Sequence, residues 1–142
     1  MKQIRKGVFE TNSSSSHSIT ISDKGGWEEI KSNVIEIESG EYGWEFDTFT
    51  GFYSKASYIY TYLINSGDKD EIEWLRKIVK EYTNADKVIF EHEESEEEPR
   101  WGYGYIDHQS SDVPQEALVS EETLKAFLFN KHSFFETGND NV

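Results

Sequence analysis

The chain has 142 residues, with 28 acidic side chains against 14 basic ones for a net charge of −14, and no cysteine. That length suits one domain with a single core, and the lack of cysteine excludes disulfides and thiolate metal sites. The negative charge argues against direct nucleic-acid binding, because a phosphate backbone repels such a surface.

No window approaches the roughly 18 apolar residues of a membrane span, and no apolar signal core follows Met1. A cytoplasmic protein with no membrane partner is therefore expected. With 4 tryptophans, 8 tyrosines and 9 phenylalanines, the chain has too many aromatic side chains for an acidic disordered segment.

In chain order, Lys2, Arg5 and Lys6 form a small basic patch, followed by the serine-rich run ETNSSSSHSI from Glu10 to Ile19. Residues 16–22 alternate strictly and predict a strand, with His17, Ile19 and Ile21 on one face. Lys24-Gly25-Gly26 reads as a turn, and residues 33–38 as a second strand with Ile35 and Ile37 inward. The glycine-punctuated segment SGEYGWEFDTFTG, residues 39–51, reads as an aromatic and acidic loop.

Phe52, Ala56, Ile59 and Leu63 recur at helical spacing and predict a helix over 52–65, stopped near Gly67. Tyr58, Tyr60 and Tyr62 should spread round that helix. Asp68, with Glu71 three residues on, predicts a capped helix through about Tyr82, with Ile72, Leu75, Ile78, Val79 and Tyr82 as its buried stripe. Residues 87–92 predict a third strand, and 91–100 an acidic loop containing six glutamates.

WGYGYI, residues 101–106, predicts a fourth strand, and Ser120 should cap a last helix over 121–130. A short strand over 133–136 and a flexible tail over 137–142 complete a single domain spanning 1–142. His92 and His132 read as structural or surface residues. The expected class is α+β: a mainly antiparallel sheet of about four to five strands in two hairpin-like halves, with about three helices packed on one side.

Three stretches could carry chemistry. In the first, the hydroxyls and amides of Ser13, Ser14, Ser15 and Ser16, with Asn12, can cradle an anion that Arg5 grips in a bidentate manner. His17, at the mouth of the buried face, is then a candidate acid or base. The second is YIDHQSSD, where Tyr105, Asp107, His108, Gln109 and Ser110 crowd the end of a strand, a rigid place to expose binding groups. Asp107 and His108 point to opposite faces and should not form a dyad. His108-Gln109-Ser110 has the His-x-Ser spacing of two-histidine phosphodiesterases, but His17-Ser18-Ile19 lacks the second hydroxyl that pattern needs. The third is GEYGWEFD, which places Glu41 and Glu45 beside Trp44, an environment that raises carboxyl pKa values. Carboxylates joined by His17 or His108 would suit a divalent metal, although no motif spacing calls for one.

The opening RKGVFETNSSSSHSI resembles the start of a group of uncharacterised bacteriophage and bacterial proteins that share a Phe-Glu-Thr-Asn-Ser-Ser-Ser-(Ser/Thr)-His-Ser signature. GEYGWE and YIDHQS are similar to the same group. The resemblance implies a phage or prophage origin and no particular activity.

Two readings of function follow. In one, Arg5, Asn12, Ser13–Ser16, Glu41, Trp44, Glu45, Tyr105, Gln109 and Ser110 bind a small phosphorylated or nucleotide-like ligand. His17, His108 and Asp107 would serve catalysis, by hydrolysis or transfer at phosphorus if there is any. In the other, the acidic surface and the 91–98 glutamates occupy a basic surface on a host protein, as an anti-defence or host-takeover inhibitor or a nucleic-acid mimic would.

Overall fold

The computed structural model describes residues 17–43, 45–93, 104–107 and 110–138. The class is α+β, with seven short strands and three α-helices. In order these are β1 (Ser18–Thr20), β2 (Val34–Ile37), β3 (Glu41–Tyr42), β4 (Asp47–Phe49), α1 (Phe52–Ser66), α2 (Lys69–Thr83), β5 (Lys87–Phe90), β6 (Tyr105–Ile106), α3 (Glu121–Phe129) and β7 (Phe134–Thr137). A 3-10 turn, Val113–Ala117, precedes α3.

The strands divide among three small sheets. β7 lies between β1 and β4 in an antiparallel sheet, while β2 pairs with β5 and β3 with β6, both in parallel. The hairpin-like halves expected from the sequence are therefore replaced by long-range pairings. α1, α2, β3 and β4 all lie in the chain between β2 and β5, which is what a parallel pairing demands of its crossover.

Helix α1 explains this arrangement. Ten of its residues are buried, among them Phe52, Lys55, Ala56, Tyr58, Ile59, Tyr60, Thr61 and Leu63, so it has no solvated face along most of its length. A helix buried all round is a core element and not a sheet cover, and the small sheets and other helices pack about it. The tyrosines of α1 follow the same rule: Tyr58 and Tyr60 are core residues, and Tyr62 is half-buried.

Aromatic stacking knits the layers together. Tyr58 stacks on Phe135 with centroids 3.9 Å apart, and Phe49 stacks on the same ring. Tyr42 meets Tyr58, Phe49 and Phe135 edge-on, joining β3 to the antiparallel sheet. Each such pair adds about 0.5–1.5 kcal/mol beyond the area it buries.

The helix ends follow local chemistry. Gly67 adopts a left-handed φ of 77° and its N–H returns to Leu63 O, closing α1. The Asp68 side chain accepts from Glu71 N and opens α2, and Ser120 accepts from Thr123 N to open α3. Such a cap contributes about 1 kcal/mol. On α2, Leu75, Ile78 and Val79 are buried, with Ile72 and Tyr82 packed partly against the core.

Lys55 is a buried cation in the middle of α1. Its Nζ donates to Asn130 O at 2.9 Å and Ser133 O at 2.8 Å, just past the C-terminus of α3. Those carbonyls lie at the negative end of the α3 dipole, which favours a cation. Burial nevertheless depresses the Lys55 pKa to about 8, with only partial relief from Glu28. Between that value and 10.5, the unfolded chain binds a proton that the folded chain does not, so this lysine makes stability rise with pH across that window. Denaturant unfolding from about pH 7.5 to 9.5 should show a gain on the order of 1 kcal/mol, discounted for solvent screening. Lys55→Met should abolish that slope, and an unchanged slope in the variant would show that the buried ammonium is not its source.

Candidate functional site

The three stretches singled out in the sequence meet at His17. Its Nε2 lies 2.6 Å from Gly43 O, in the GEYGWE segment, and its backbone N–H donates to Ser110 Oγ at 3.1 Å, in the YIDHQSSD segment. Its Nδ1 lies 2.9 Å from Tyr58 Oη on α1. A carbonyl can only accept, so Nε2 carries the proton and Nδ1 accepts from the tyrosine hydroxyl. Burial strongly raises the Tyr58 pKa, which keeps that hydroxyl a donor.

His17 is only 7% exposed, and the half-buried Ile19 and Ile21 of the same face pack against the core, as the alternation of this strand predicts. Desolvation lowers the His17 pKa, partly opposed by the Gly43 carbonyl and by the charge of Asp107. The ring is therefore neutral at pH 7, with both nitrogens engaged by protein groups. In this geometry His17 is a pin joining the chain before β1, the loop after β3, α1 and the turn after β6.

β3 and β6 supply the rest of the frame. Their parallel register sets Glu41 beside Tyr105 and Tyr42 beside Ile106. Tyr42 is buried and bonds to Ser57 Oγ, so Glu41 and Tyr105 share the outward face, where both are exposed. Gly104 makes the pairing possible. It has a φ of +110°, and a side chain there would come within 2.5 Å of Gly40 O.

Asp107 continues the ladder by donating its N–H to Tyr42 O at 2.7 Å, and its own carbonyl accepts from Ser110 N. Ser110 is buried, and Glu45 is exposed with its carbonyl accepting from Thr137 Oγ1. Arg5, Asn12, Ser13, Ser14, Ser15, Ser16, Trp44, His108 and Gln109 lie outside the described residues.

Beside this junction, a cleft of about 520 Å³ opens between the last turns of α1, β6 and the 111–112 turn. Tyr62, Asn65, Tyr105 and Asp112 line it. Around His17 the described partners are a carbonyl, two hydroxyls and a nearby carboxylate. Among the described residues, no group of three or more His, Asp or Glu side chains is placed to hold a metal.

Two participants were not evident in the sequence. Tyr58 reads as an ordinary helix aromatic, although its place two residues after Ala56 and one before Ile59 borders the apolar stripe. Gly43 contributes only a carbonyl, for which a sequence carries no signal.

Replacing His17 by Ala would leave the Gly43 carbonyl and the Tyr58 hydroxyl without partners around a small cavity, and should lower stability by about 2–4 kcal/mol. His17 also has a pH signature. Its folded pKa is depressed, so below about pH 6.5 the unfolded chain takes the proton first and stability falls with acidification. In denaturant unfolding, the difference between the native chain and His17→Gln should shrink as pH drops from about 7 to 5; a constant difference would contradict a neutral, buried imidazole. No protein-family model, curated protein or solved structure matches the chain.

Proposed function

We propose that the protein is an acidic binding module of phage or prophage origin that acts in the host cytoplasm by occupying a basic surface of a host protein. The observation that carries this reading is the outer face of the β2–β5 pair, which is exposed at Val34, Glu36 and Lys87 among the described residues. Parallel strands are ordinarily covered on both faces. Here Ile35, Ile37, Val88 and Phe90 are buried on one side, while on the other Val34 is 40% exposed, Glu36 is exposed and its neighbour Ile89 is half-buried.

Acids gather at the C-terminal end of this pair. Glu36 and Glu38 stand between two clefts of about 600 and 510 Å³, and Glu91 and Glu93 follow β5. Arg76 pairs with both Glu93 and Glu73 and bonds to the Val88 carbonyl, and Glu91 accepts from Ser39, whereas Glu36 and Glu38 have no cation paired with them among the described residues. Lys87 sits at the far end of the face, beside Val34. A surface of this kind suits a partner of opposite sign, with charge setting encounter rate and register.

The second reading, a small phosphorylated or nucleotide-like ligand, draws on the convergence of His17, Gly43, Asp107 and Ser110 at one point. The described groups there are mainly acceptors, and Asp107 repels phosphate. The cation for an anionic ligand would come from Arg5.

Interferometry against purified host nucleases and polymerases tests the choice. The first reading expects binding that weakens at least tenfold between about 50 and 300 mM salt and weakens about tenfold again in Glu36→Gln/Glu38→Gln. Salt-independent binding, or indifference to that double variant, would count against it. A thermal shift with nucleotides that is lost in His17→Ala would instead favour the small-ligand reading.

A further inference from the structure

We infer that the cleft between α1, β6 and the 111–112 turn is a receptor for a guanidinium group, the side chain of an arginine on the proposed basic partner. The inference rests on that reading and adds the chemistry of one contact.

The cleft is an acceptor site. The Asn65 amide nitrogen donates to Thr61 O at 2.8 Å and Gly104 O at 3.2 Å. Both partners are carbonyls, so the orientation of the amide is fixed by hydrogen bonding, and Oδ1 remains as an acceptor. Asp112 adds an exposed carboxylate, and no Lys, Arg or His lines the cleft among the described residues. Among the described residues a phosphate or carboxylate would find no compensating charge there, whereas a cation with several N–H donors would meet the Asp112 carboxylate and the Asn65 amide oxygen.

Shape selects arginine over lysine. Tyr105 is 48% exposed at the rim, and Tyr62 stands one helical turn from Asn65, its hydroxyl accepting from Gln115 Nε2 at 2.6 Å. A planar guanidinium stacks on such rings and presents its donors in a fork that matches a carboxylate and an amide oxygen. A lysine ammonium offers a compact point charge with no such plane. The volume of about 520 Å³ admits one such side chain.

The walls are held rigidly. Asn65 ties α1 to the Gly104 carbonyl, Asp107 continues the β6 ladder onto Tyr42, and the His17 amide holds Ser110 directly before the 111–112 turn. His17 is thus a positioning residue for this cleft.

Nuclear magnetic resonance of the full isotope-labelled chain tests the assignment, with N-acetyl-arginine amide, N-acetyl-lysine amide and AMP as probes. The arginine probe should shift the Asn65 side-chain amide and the Tyr105 and Asp112 backbone signals saturably, and the lysine probe should bind at least about fivefold more weakly. Asp112→Asn and Tyr105→Ala, both at exposed positions, should each weaken arginine binding at least about threefold, with Glu36→Gln/Glu38→Gln leaving it unchanged.

Equal response to arginine and lysine, or indifference to both cleft variants, overturns the assignment. So does a cleft response to AMP with arginine silent. If a basic host protein binds through Glu36 and Glu38 while the arginine probe leaves the cleft untouched, the cleft assignment falls and the basic-partner reading stands. If arginine fills the cleft but no basic protein binds, the reading falls and the cleft assignment stands.

Discussion

The burial of α1 on nearly every face governs the rest of the molecule. A polar side chain on such a helix cannot reach water and must find a partner inside the protein. Lys55 does so at the end of α3, Ser57 with Tyr42, Thr61 with the Gly40 amide, and Tyr60 with the Glu91 carbonyl. The four bonds reach three segments, so the polar groups of one helix set the positions of β3, the end of β5 and the α3–β7 turn. Tyr58 does the same for His17. The central helix therefore arranges the surface through its hydrogen bonds as much as through its apolar packing.

What could be read in the sequence follows from how local each signal is. The helices announce themselves through periodicity and caps: Asp68 and Ser120 cap where their spacing predicts, and Gly67 ends α1. β1, β2, β5 and β7 show as alternating or β-branched runs, and the alternation correctly puts His17 inward. Strand partners are a different matter, because a β-strand carries no local record of the strand beside it. The parallel pairings of β2 with β5 and β3 with β6 join residues about fifty to sixty positions apart. β3 and β4 lie in a segment whose glycines read as loop; pairing with β6 and β7 overrides that local preference.

Lys55 shows the same limit at the level of one side chain. It stands three residues after Phe52 and four before Ile59, squarely within the apolar stripe. A lysine at such a position signals either a long stem reaching solvent or a buried cation with carbonyl partners. Only the position of the α3 terminus decides between them, and that terminus lies 75 residues away. The meeting of His17, Gly43 and Ser110 likewise joins places chosen separately for their chemistry, although the sequence could not show that they serve one another as hydrogen-bond partners.

On the proposed reading, charge and geometry would divide the work of recognition. An excess of 14 negative charges acts over roughly 10 Å in physiological salt, far enough to gather basic surfaces and too far to distinguish among them. Selectivity has to come from contacts at hydrogen-bond range, where orientation counts. The proposed cleft beside β6 would meet that need because the Asn65 amide is oriented by two carbonyls and the backbone of the Asp112 turn follows the anchored Ser110. His17 contributes by being neutral and fully bonded, since a charged or half-satisfied imidazole would loosen the junction that holds that turn. A histidine that looks in sequence like a candidate base thus gains its value from staying neutral, and on the proposed reading its influence would reach a ligand through the turn it holds in place.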